Sequence, residues 1–252
     1  MRTLAIIPAR YASTRFPGKP LARLGGKYVI EHVYCRTKEA VDDVVVATDD
    51  SRIMEAVESF GGRAVMTSAK HRSGTDRCYE ALQYIGGDYD IVINVQGDEP
   101  FIDPRQIEQL IACFSSPDTD IATLVKPFSE AEGITALESM NTPKVVFGRD
   151  MRALYFSRSV IPALRDVERR RWLSEGRYFK HIGIYAFRRE VLGRVTALEQ
   201  SPLEQSEKLE QLRWLENGYN IHVAITDIET IGIDTPDELQ RAEEVLSTMR
   251  NR

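Results

Sequence analysis

Residues 6–21 of this 252-residue chain read IIPARYASTRFPGKPL. The prediction of the fold and of the functional site starts from this stretch. The apolar run from Leu4 to Ile7 is typical of a fully buried strand, which Pro8 ends. Three cations follow within ten residues: Arg10, Arg15 and Lys19. Small residues lie between them: Ala9, Ala12, Ser13 and Gly18. Such residues let a ligand approach backbone N–H groups, and phosphate oxygens accept charge-assisted hydrogen bonds, so residues 9–19 are predicted to form a phosphate cradle.

The cradle differs from a P-loop, because Lys19 is followed by Pro20 and a loop is expected to continue there. The alternative is a solvated basic loop. A charged surface loop rarely follows a buried first strand so directly, which favours the cradle.

Composition restricts the function classes. A net charge of -5 argues against general binding to nucleic acid or a membrane surface, so the basic cradle indicates a small anionic ligand. The three cysteines are far apart and odd in number, which favours a reducing cytoplasm over a disulfide framework or a zinc site. The apolar N-terminal run is too short for a signal peptide, so it is interpreted as a strand of the mature fold.

Apolar periodicity predicts alternating strands and helices through residue 114. Strands are expected at 44–47, 64–66 and 91–95, and helices at 28–40, from 51, around 78–85 and at 106–114. Together with the first strand this predicts an α/β protein with a mostly parallel sheet, whose strand ends place the cradle and Asp98 in one cleft.

The second half is richer in strands. We expect a hairpin of 145–147 and 153–157, strands at 180–187 and 221–225, and an exposed, charged loop or lid at 160–178. Ser201 and Pro202 open a helix that is predicted to end near Gly218 with its leucines, Leu203 among them, facing the core. Thr235 and Pro236 open the final helix. The chain is interpreted as a single domain, 1–252, with a strand-rich insertion around 140–190.

Two aspartates are candidate Mg²⁺ ligands. Asp98 ends a buried strand beside Gly97, whose missing side chain is expected to leave room for a substrate. Mg²⁺ takes one or two protein carboxylates, and the second is predicted to be Asp234. Asp234 precedes a helix, so an N-cap role is an equal alternative, although Thr235 is itself a good N-cap. Glu99 is the weaker ligand candidate.

His181 and Tyr185 fall on one face of a predicted strand, with a structural role as the alternative. Glu207, Glu210 and Gln211 fall on a helix, where they form either an exposed face or a hydroxyl-binding set. Neither a Ser/His/Asp grouping nor a CxxC pair is present, so covalent catalysis and zinc have no support in the sequence.

Seven motifs carry a family resemblance, in this order: PARYASTRFPGKPL, HRSGTDR, NVQGDEP, ALYFSRSVIP, HIGIYAF, SPLEQSEKLEQLRWLENG and GIDTPDEL. Together they span essentially the whole chain and resemble the motifs of the 3-deoxy-manno-octulosonate cytidylyltransferases, or CMP-Kdo synthetases. Phe16 replaces the family's usual Leu, and the segment at 141–144 is shortened.

The resemblance implies a nucleotide-diphospho-sugar transferase fold with a strand-rich dimerisation region. It also implies a cytoplasmic homodimer that uses CTP, Kdo and Mg²⁺ in lipopolysaccharide biosynthesis. Lys19, Asp98, Asp234 and Arg15 would be catalytic, with Asp98 and Asp234 holding the metal. CTP would contact Ala9, Arg10, Ser13, Arg15, Lys19, Arg72, Ser73, Gly74 and Gln96. Of these, Arg72, Ser73 and Gly74 would contact its cytosine. The sugar would contact Gln96, Arg158, His181, Tyr185, Glu210 and Gln211.

Three alternatives remain at this point. A related nucleotidyltransferase could activate sialic acid or a sugar phosphate, although a sugar phosphate calls for a second basic cluster. A regulatory nucleotide-binding subunit could dispense with the carboxylates. A type-A glycosyltransferase is expected to show Asp-x-Asp where this chain has Gly97-Asp98-Glu99. An 8-amino analogue of Kdo is not distinguished from Kdo itself.

Overall fold

The computed structural model of the protein describes residues 1–12, 15–229 and 231–250. It divides into two compact units, unit 1 with Met1–Glu108 and Glu229–Arg252, and unit 2 with Gln109–Ile228. Unit 2 extends beyond the insertion expected around 140–190, and the assignment of a single domain stays a prediction.

The strands in chain order are β1 Thr3–Ala9, β2 Arg23–Leu24, β3 Lys27–Tyr28, β4 Asp43–Thr48, β5 Ala64–Met66, β6 Ile91–Asn94, β7 Ile121–Pro127, β8 Lys144–Phe147, β9 Ala153–Ser157, β10 Phe179–Arg188 and β11 Ile221–Ile225. The helices are α1 Val29–Lys38, α2 Ser51–Ser59, α3 Gly74–Ile85, α4 Pro104–Ala112, α5 Gly133–Glu138, α6 Trp172–Glu175, α7 Arg189–Thr196, α8 Pro202–Glu207, α9 Glu210–Glu216 and α10 Pro236–Arg250. Short 3₁₀ helices occur at Lys19–Leu21, Cys113–Ser115, Glu130–Glu132 and Arg169–Arg171.

Unit 1 contains a parallel sheet in the order β6-β1-β4-β5. β1 is central and apolar on both faces, and Ile6 pairs with Val45 of β4 while Ala5 pairs with Ile93 of β6. Burial of both faces is expected for parallel strands that are covered by helices. The prediction of an α/β fold with a mostly parallel sheet is confirmed, and it places the segments that follow β1 and β6 at the carboxyl-terminal end of adjacent strands.

Unit 2 is built mainly from antiparallel pairs. β10 pairs with β7 and β8, β8 pairs with β9 as the predicted hairpin, and β11 runs parallel to β7. The β10–β7 register shifts between Ile182 and Tyr185. This bulge changes how the side chains of β10 face their neighbours.

The predicted helix from Pro202 to about Gly218 is wrong in one respect, because it is two helices. The chain breaks at Lys208, whose φ of 53° lies in the left-handed region. Leu203, in the first turn of α8, was expected in the core, yet it is 37% exposed. Leu209 and Leu212, after the break begins, are buried, so the leucines of this segment differ in burial.

The charged segment 160–178 is only partly the exposed loop that its composition predicted. Trp172 and Tyr178 are buried with Leu137, and Leu164 and Val167 pack against them. The charged side chains lie outside this cluster, as the large exposed fraction of Arg170 shows. The segment is therefore anchored by apolar contacts.

None of the three cysteines forms a disulfide. Within the part of the chain that the structure describes, no helix combines the length and apolarity needed to cross a membrane.

Candidate active site

The ammonium of Lys19 lies between two carboxylates of unit 1. Its Nζ is 2.6 Å from Asp98 Oδ2 and 2.9 Å from Asp234 Oδ1. A second cation is close by, since Arg15 Nη2 is 2.8 Å from Asp234 Oδ2. All four residues that were predicted to be catalytic thus meet in one group, the Lys19 cluster (Arg15, Lys19, Asp98, Asp234).

Opposite charges set the protonation of this cluster. Burial alone would lower the pKa of the Lys19 ammonium. The charges of Asp98 and Asp234 and their hydrogen bonds to the ammonium outweigh burial, so the pKa of Lys19 is raised above its ordinary value. Burial raises the pKa of Asp234, but the hydrogen bond and charge of Lys19, with Arg15, outweigh it and hold that pKa below its usual range. Lys19 and Asp234 are therefore charged at neutral pH.

Gly18 turns the chain so that Lys19 faces the carboxylates. Its φ of +72° lies where glycine is favoured, its N–H donates to the Tyr11 carbonyl at 2.9 Å, and a Cβ there would lie 3.1 Å from the Tyr11 ring. The 3₁₀ helix Lys19–Leu21 follows, where the sequence predicted a continuing loop. Proline at the second position of this turn is compatible with it.

Thr235, not Asp234, caps α10. Thr235 Oγ1 accepts a hydrogen bond of 3.3 Å from the Glu238 N–H, and Glu238 Oε2 accepts bonds from the N–H groups of Thr235 and Asp234. The Asp234 carboxylate is thereby left to face Lys19. The Ile233 N–H also donates to the Asp98 carbonyl at 2.9 Å, which ties the two acidic segments together.

A pocket of about 160 Å³ opens beside the Lys19 cluster. Its walls include Ala9, Arg10, Ala12, Lys19, Gln96 and Asp98. Pockets for whole small ligands measure roughly 300–1,000 Å³, so this one matches only a part of a ligand, such as its phosphate groups. The structure thus brings Ala9, Arg10 and Gln96 together with Lys19, while Ser13 lies outside the described residues.

Arg10 connects this pocket to the polar loop before α3. Its Nη2 donates to the His71 carbonyl at 2.7 Å. The His71 ring contacts Glu80 of α3, and Glu80 also accepts a hydrogen bond of 2.7 Å from the Ser68 N–H. The loop that precedes α3 is therefore held at Ser68 and at His71, just before residues 72–74.

The three residues predicted to contact cytosine begin α3. Ser73 caps this helix, since its Oγ accepts a hydrogen bond of 3.1 Å from the Asp76 N–H. Gly74 lies against β1, because a Cβ there would be 3.2 Å from Pro8 Cγ. Arg72 is exposed. A base contact by these residues stays a prediction.

Gly97 has a packing role as well as a place at the pocket. A Cβ at this position would lie 2.9 Å from the carbonyl oxygen of Pro8, so the missing side chain lets the segment before Asp98 pack against β1. Gly97 also lines the pocket beside Lys19, and the expectation that it makes room for a substrate stays a prediction.

In unit 2, backbone carbonyls hold the guanidinium of Arg158. Its Nε donates to Glu207 O at 2.7 Å, Nη1 to Met140 O at 2.7 Å and Nη2 to Lys208 O at 3.3 Å. A guanidinium has five N–H groups, so these contacts within the described chain use three and leave two for a ligand.

His181 and Tyr185 lie side by side on β10, as predicted, with ring centroids 5.4 Å apart. His181 Nε2 is 2.9 Å from Thr123 Oγ1, and that hydroxyl donates its single proton to a backbone carbonyl, that of Ile184 at 2.8 Å. A proton on Nε2 satisfies both contacts of the Thr123 hydroxyl at once, and this tautomer leaves Nδ1 as an acceptor.

The His181 ring, half-buried on β10, predicts an acid-sensitive fold. Burial lowers its pKa to about 3, so between about pH 6.5 and 3 the unfolded chain binds a proton that the native chain does not. We expect the free energy of unfolding to fall on acidification through this window by up to about 1.4 kcal/mol per pH unit from this group. Urea unfolding at several pH values measures the slope, and His181→Gln should flatten it. Superimposable slopes would contradict the assignment.

Tyr185 on β10 packs against Trp214 of α9, with ring centroids 4.9 Å apart, and each carries a buried polar atom. Within the described residues the Tyr185 hydroxyl, Gln211 Nε2 and Trp214 Nε1 have no hydrogen-bond partner. Burial and then the negative charge of Glu210 raise the pKa of Tyr185. Unpaired buried donors are costly, and such a group fits a site that is completed by a polar ligand.

A model of the family described as "Cytidylyltransferase" matches residues 4–228. This chain belongs to the cytidylyltransferase family. The 3-deoxy-manno-octulosonate cytidylyltransferase of Bacteroides thetaiotaomicron is 61% identical over 246 residues, with 98% of each chain covered. A solved structure of CMP:2-keto-3-deoxy-manno-octonic acid synthetase complexed with CTP is 43% identical, covers 99% of this chain and 100% of its own, and has a TM-score of 0.90. The 4-diphosphocytidyl-2C-methyl-D-erythritol synthase of Anaerococcus prevotii is 16% identical with a TM-score of 0.61, and 98% of each chain is covered, a likeness of fold alone.

The sequence analysis missed the supports of the sugar set in this cytidylyltransferase. Glu207 was left between an exposed face and a hydroxyl-binding set, yet its carboxylate accepts hydrogen bonds from Ser157 Oγ at 2.7 Å and the Arg158 N–H at 2.9 Å. Thr123, which fixes the His181 tautomer, gave no signal in the sequence. Both act through contacts between residues about 50 or more positions apart, which local periodicity does not reveal.

Proposed function

We propose that this cytidylyltransferase joins CTP to 3-deoxy-D-manno-octulosonate (Kdo), forming CMP-Kdo and pyrophosphate for lipopolysaccharide biosynthesis. The observation that carries the proposal is the Lys19 cluster beside a pocket that Arg10 and Gln96 also line. Kdo as the acceptor is supported by the name of the 61% identical relative, which matches this chain over nearly its full length.

The reaction needs charge stabilisation and no protein nucleophile. The oxygen of the 2-hydroxyl of Kdo forms a bond to the α-phosphorus and releases its proton to solvent. The bond from that phosphorus to the bridging oxygen breaks, and its electron pair leaves with pyrophosphate. Arg10, Arg15 and Lys19 hold the triphosphate, and their cations stabilise charge that develops on the leaving group.

Asp98 and Asp234 fit a role in holding Mg²⁺. Their carboxylates converge on one point, and the described residues contain no group of three or more His, Cys, Asp or Glu that would form an all-protein cage. Mg²⁺ commonly takes one or two carboxylates and completes its shell with phosphate and water. When bound it would supply neutralisation of charge at the α-phosphate and the sugar oxygens. Lys19 now occupies the space between the two carboxylates, so its ammonium competes with any cation that both hold.

The sugar would be held by the set in unit 2. Arg158 suits the Kdo carboxylate, since a guanidinium binds carboxylates through its planar N–H groups. Neutral His181 offers an acceptor at Nδ1. Tyr185, Gln211 and Glu210 offer hydrogen-bonding groups to sugar hydroxyls.

Arg158→Lys should weaken sugar binding more than nucleotide binding. An ammonium cannot reproduce the planar contacts, so the KM for Kdo should rise about tenfold or more while the KM for CTP changes little. Initial rates with each substrate varied in turn measure both constants. A higher KM for CTP with an unchanged KM for Kdo would move Arg158 to the nucleotide side.

We also propose a cytoplasmic homodimer, with Mg²⁺ as the cofactor. The family resemblance supports the dimer, and sedimentation equilibrium would measure it. The monomer mass for comparison is 28.6 kDa.

The function is tested by following pyrophosphate release from CTP and Mg²⁺ with Kdo, its 8-amino analogue, sialic acid and a sugar phosphate. We expect release with Kdo above all. Release with sialic acid or the sugar phosphate alone would overturn the choice of substrate, and release with none of these acceptors would overturn the proposed activity.

A further inference from the structure

Arg213 is a buried cation that joins three parts of unit 2. Its Nη2 donates to Glu210 Oε1 at 2.9 Å, and its Nη1 donates to the Leu198 carbonyl at 3.0 Å. Its Nε faces Glu204 Oε2 at 3.5 Å. One planar guanidinium thus connects Glu204 on α8 with Glu210 on α9, across the break at Lys208.

This triad is a poor source of stability. The side chains of Arg213 and Glu204 are each 9% exposed, and the two facing atoms at 3.5 Å, Nε and Oε2, have no hydrogen-bond partner within the described residues. Removing charges from water costs several kcal/mol per ion, which a contact of this length repays incompletely. Apolar residues of similar volume can replace such groups without loss of stability.

Glu210 is the member of the triad that can reach a ligand. Its side chain is 25% exposed, against 9% for Arg213. Trp214, four positions after Glu210 on α9, packs against the Tyr185 ring with centroids 4.9 Å apart, and Gln211 directly follows Glu210 on the same helix. The guanidinium therefore holds one oxygen of a carboxylate that lies beside the other predicted sugar residues.

We propose that Arg213, supported by Glu204, is a positioning residue that fixes the Glu210 carboxylate as the acceptor for a sugar hydroxyl. The inference rests on the proposed function for the placement of the sugar at Glu210. It assigns the buried triad to substrate recognition and not to the stability of the fold.

The test is the pair Arg213→Met with Glu204→Leu, which replaces two buried charges by apolar side chains. The KM for Kdo should rise about tenfold or more, as expected for a lost charge-assisted contact, while the KM for CTP stays within about twofold. The melting temperature should fall by no more than about 3 °C, or rise. Arg213→Lys keeps the charge but not the fork, and should show a similar KM for CTP with a higher KM for Kdo.

A double-mutant cycle with Glu210→Gln separates positioning from general damage. If Arg213 acts through Glu210, Arg213→Lys should add little to the KM for Kdo once Glu210 is neutralised. Arg188→Met is the matched control, because Arg188 also donates to backbone carbonyls of unit 2, those of Thr119 and Ser116. It should leave the KM for Kdo unchanged.

Three outcomes would overturn the inference: an unchanged KM for Kdo, equal increases of both KM values, or full additivity with Glu210→Gln. If the double variant does not fold, the cycle with Arg213→Lys decides. Failure of the proposed function looks different, since the wild-type enzyme itself would then not turn over Kdo. The same cycle is then run with the sugar acid that the wild-type enzyme accepts. If the wild type accepts no sugar acid, the inference is overturned.

Discussion

Lys19→Met should lower kcat by about a hundredfold or more while the fold survives. The ammonium is one of the cations that would stabilise the leaving pyrophosphate, and removal of one such preorganised donor costs about 10²–10³ in kcat. Its side chain is 14% exposed and packs in a turn fixed by Gly18, so the unbranched Met side chain fills the same space. Steady-state rates at saturating CTP and Kdo measure the loss.

The same variant should bind a divalent cation more tightly in the absence of CTP. Lys19 now neutralises Asp98 and Asp234 at 2.6 and 2.9 Å, and its removal leaves two carboxylates that repel each other. Titration with Mn²⁺, followed by electron paramagnetic resonance, should show a lower Kd than for the wild type. Lower activity combined with tighter metal binding is not expected from general damage to the fold.

Lys27→Met is the matched control for this prediction. Lys27 is 53% exposed and lies 3.6 Å from Glu31, a surface ion pair of the kind that contributes little. It should change neither kcat nor the Kd for Mn²⁺. A Lys19→Met enzyme with near-wild-type kcat would remove Lys19 from the catalytic set, and weaker Mn²⁺ binding would show that Lys19 does not compete with the metal.

The parallel half of the fold could be predicted because its signals are local. The apolar run at 4–7 and the following turn residues specify β1, and Thr235 marks the start of α10 as predicted. The start of α3 was predicted less well, because the helix expected around 78–85 begins at Gly74. Strand ends in such a sheet converge, so the meeting of Lys19 with Asp98 follows from topology.

The helix break at Lys208 could not be predicted in this way. Lys208 takes a left-handed backbone conformation that glycine or asparagine usually occupies, so no residue type marks the position. Glu204 and Arg213 contact each other across the break only because the chain turns there. The sugar set was thus predicted residue by residue from family resemblance, while the contacts that hold it came from the structure.

Neutralising Asp98 or Asp234 tests whether the protein is an enzyme or only binds a nucleotide. If Asp98 and Asp234 jointly hold one Mg²⁺, either neutralisation to Asn removes a charged ligand and should abolish turnover. Each Asn keeps the shape of the side chain, so the fold should survive. CTP should still bind, because Arg10 and Arg15 remain to hold its phosphates.

The double variant Asp98→Asn with Asp234→Asn should be hardly worse than either single one, because groups that act on the same ion are not additive. We would measure kcat for both single variants and the pair at saturating CTP and several Mg²⁺ concentrations, with CTP binding by calorimetry. Asp237→Asn, an exposed carboxylate in the first turn of α10, is the control and should retain full activity. Losses that multiply in the pair would assign the two carboxylates separate tasks. Full activity of Asp234→Asn would leave that carboxylate only its ion pairs with Lys19 and Arg15, and Asp98 alone would remain as a metal ligand.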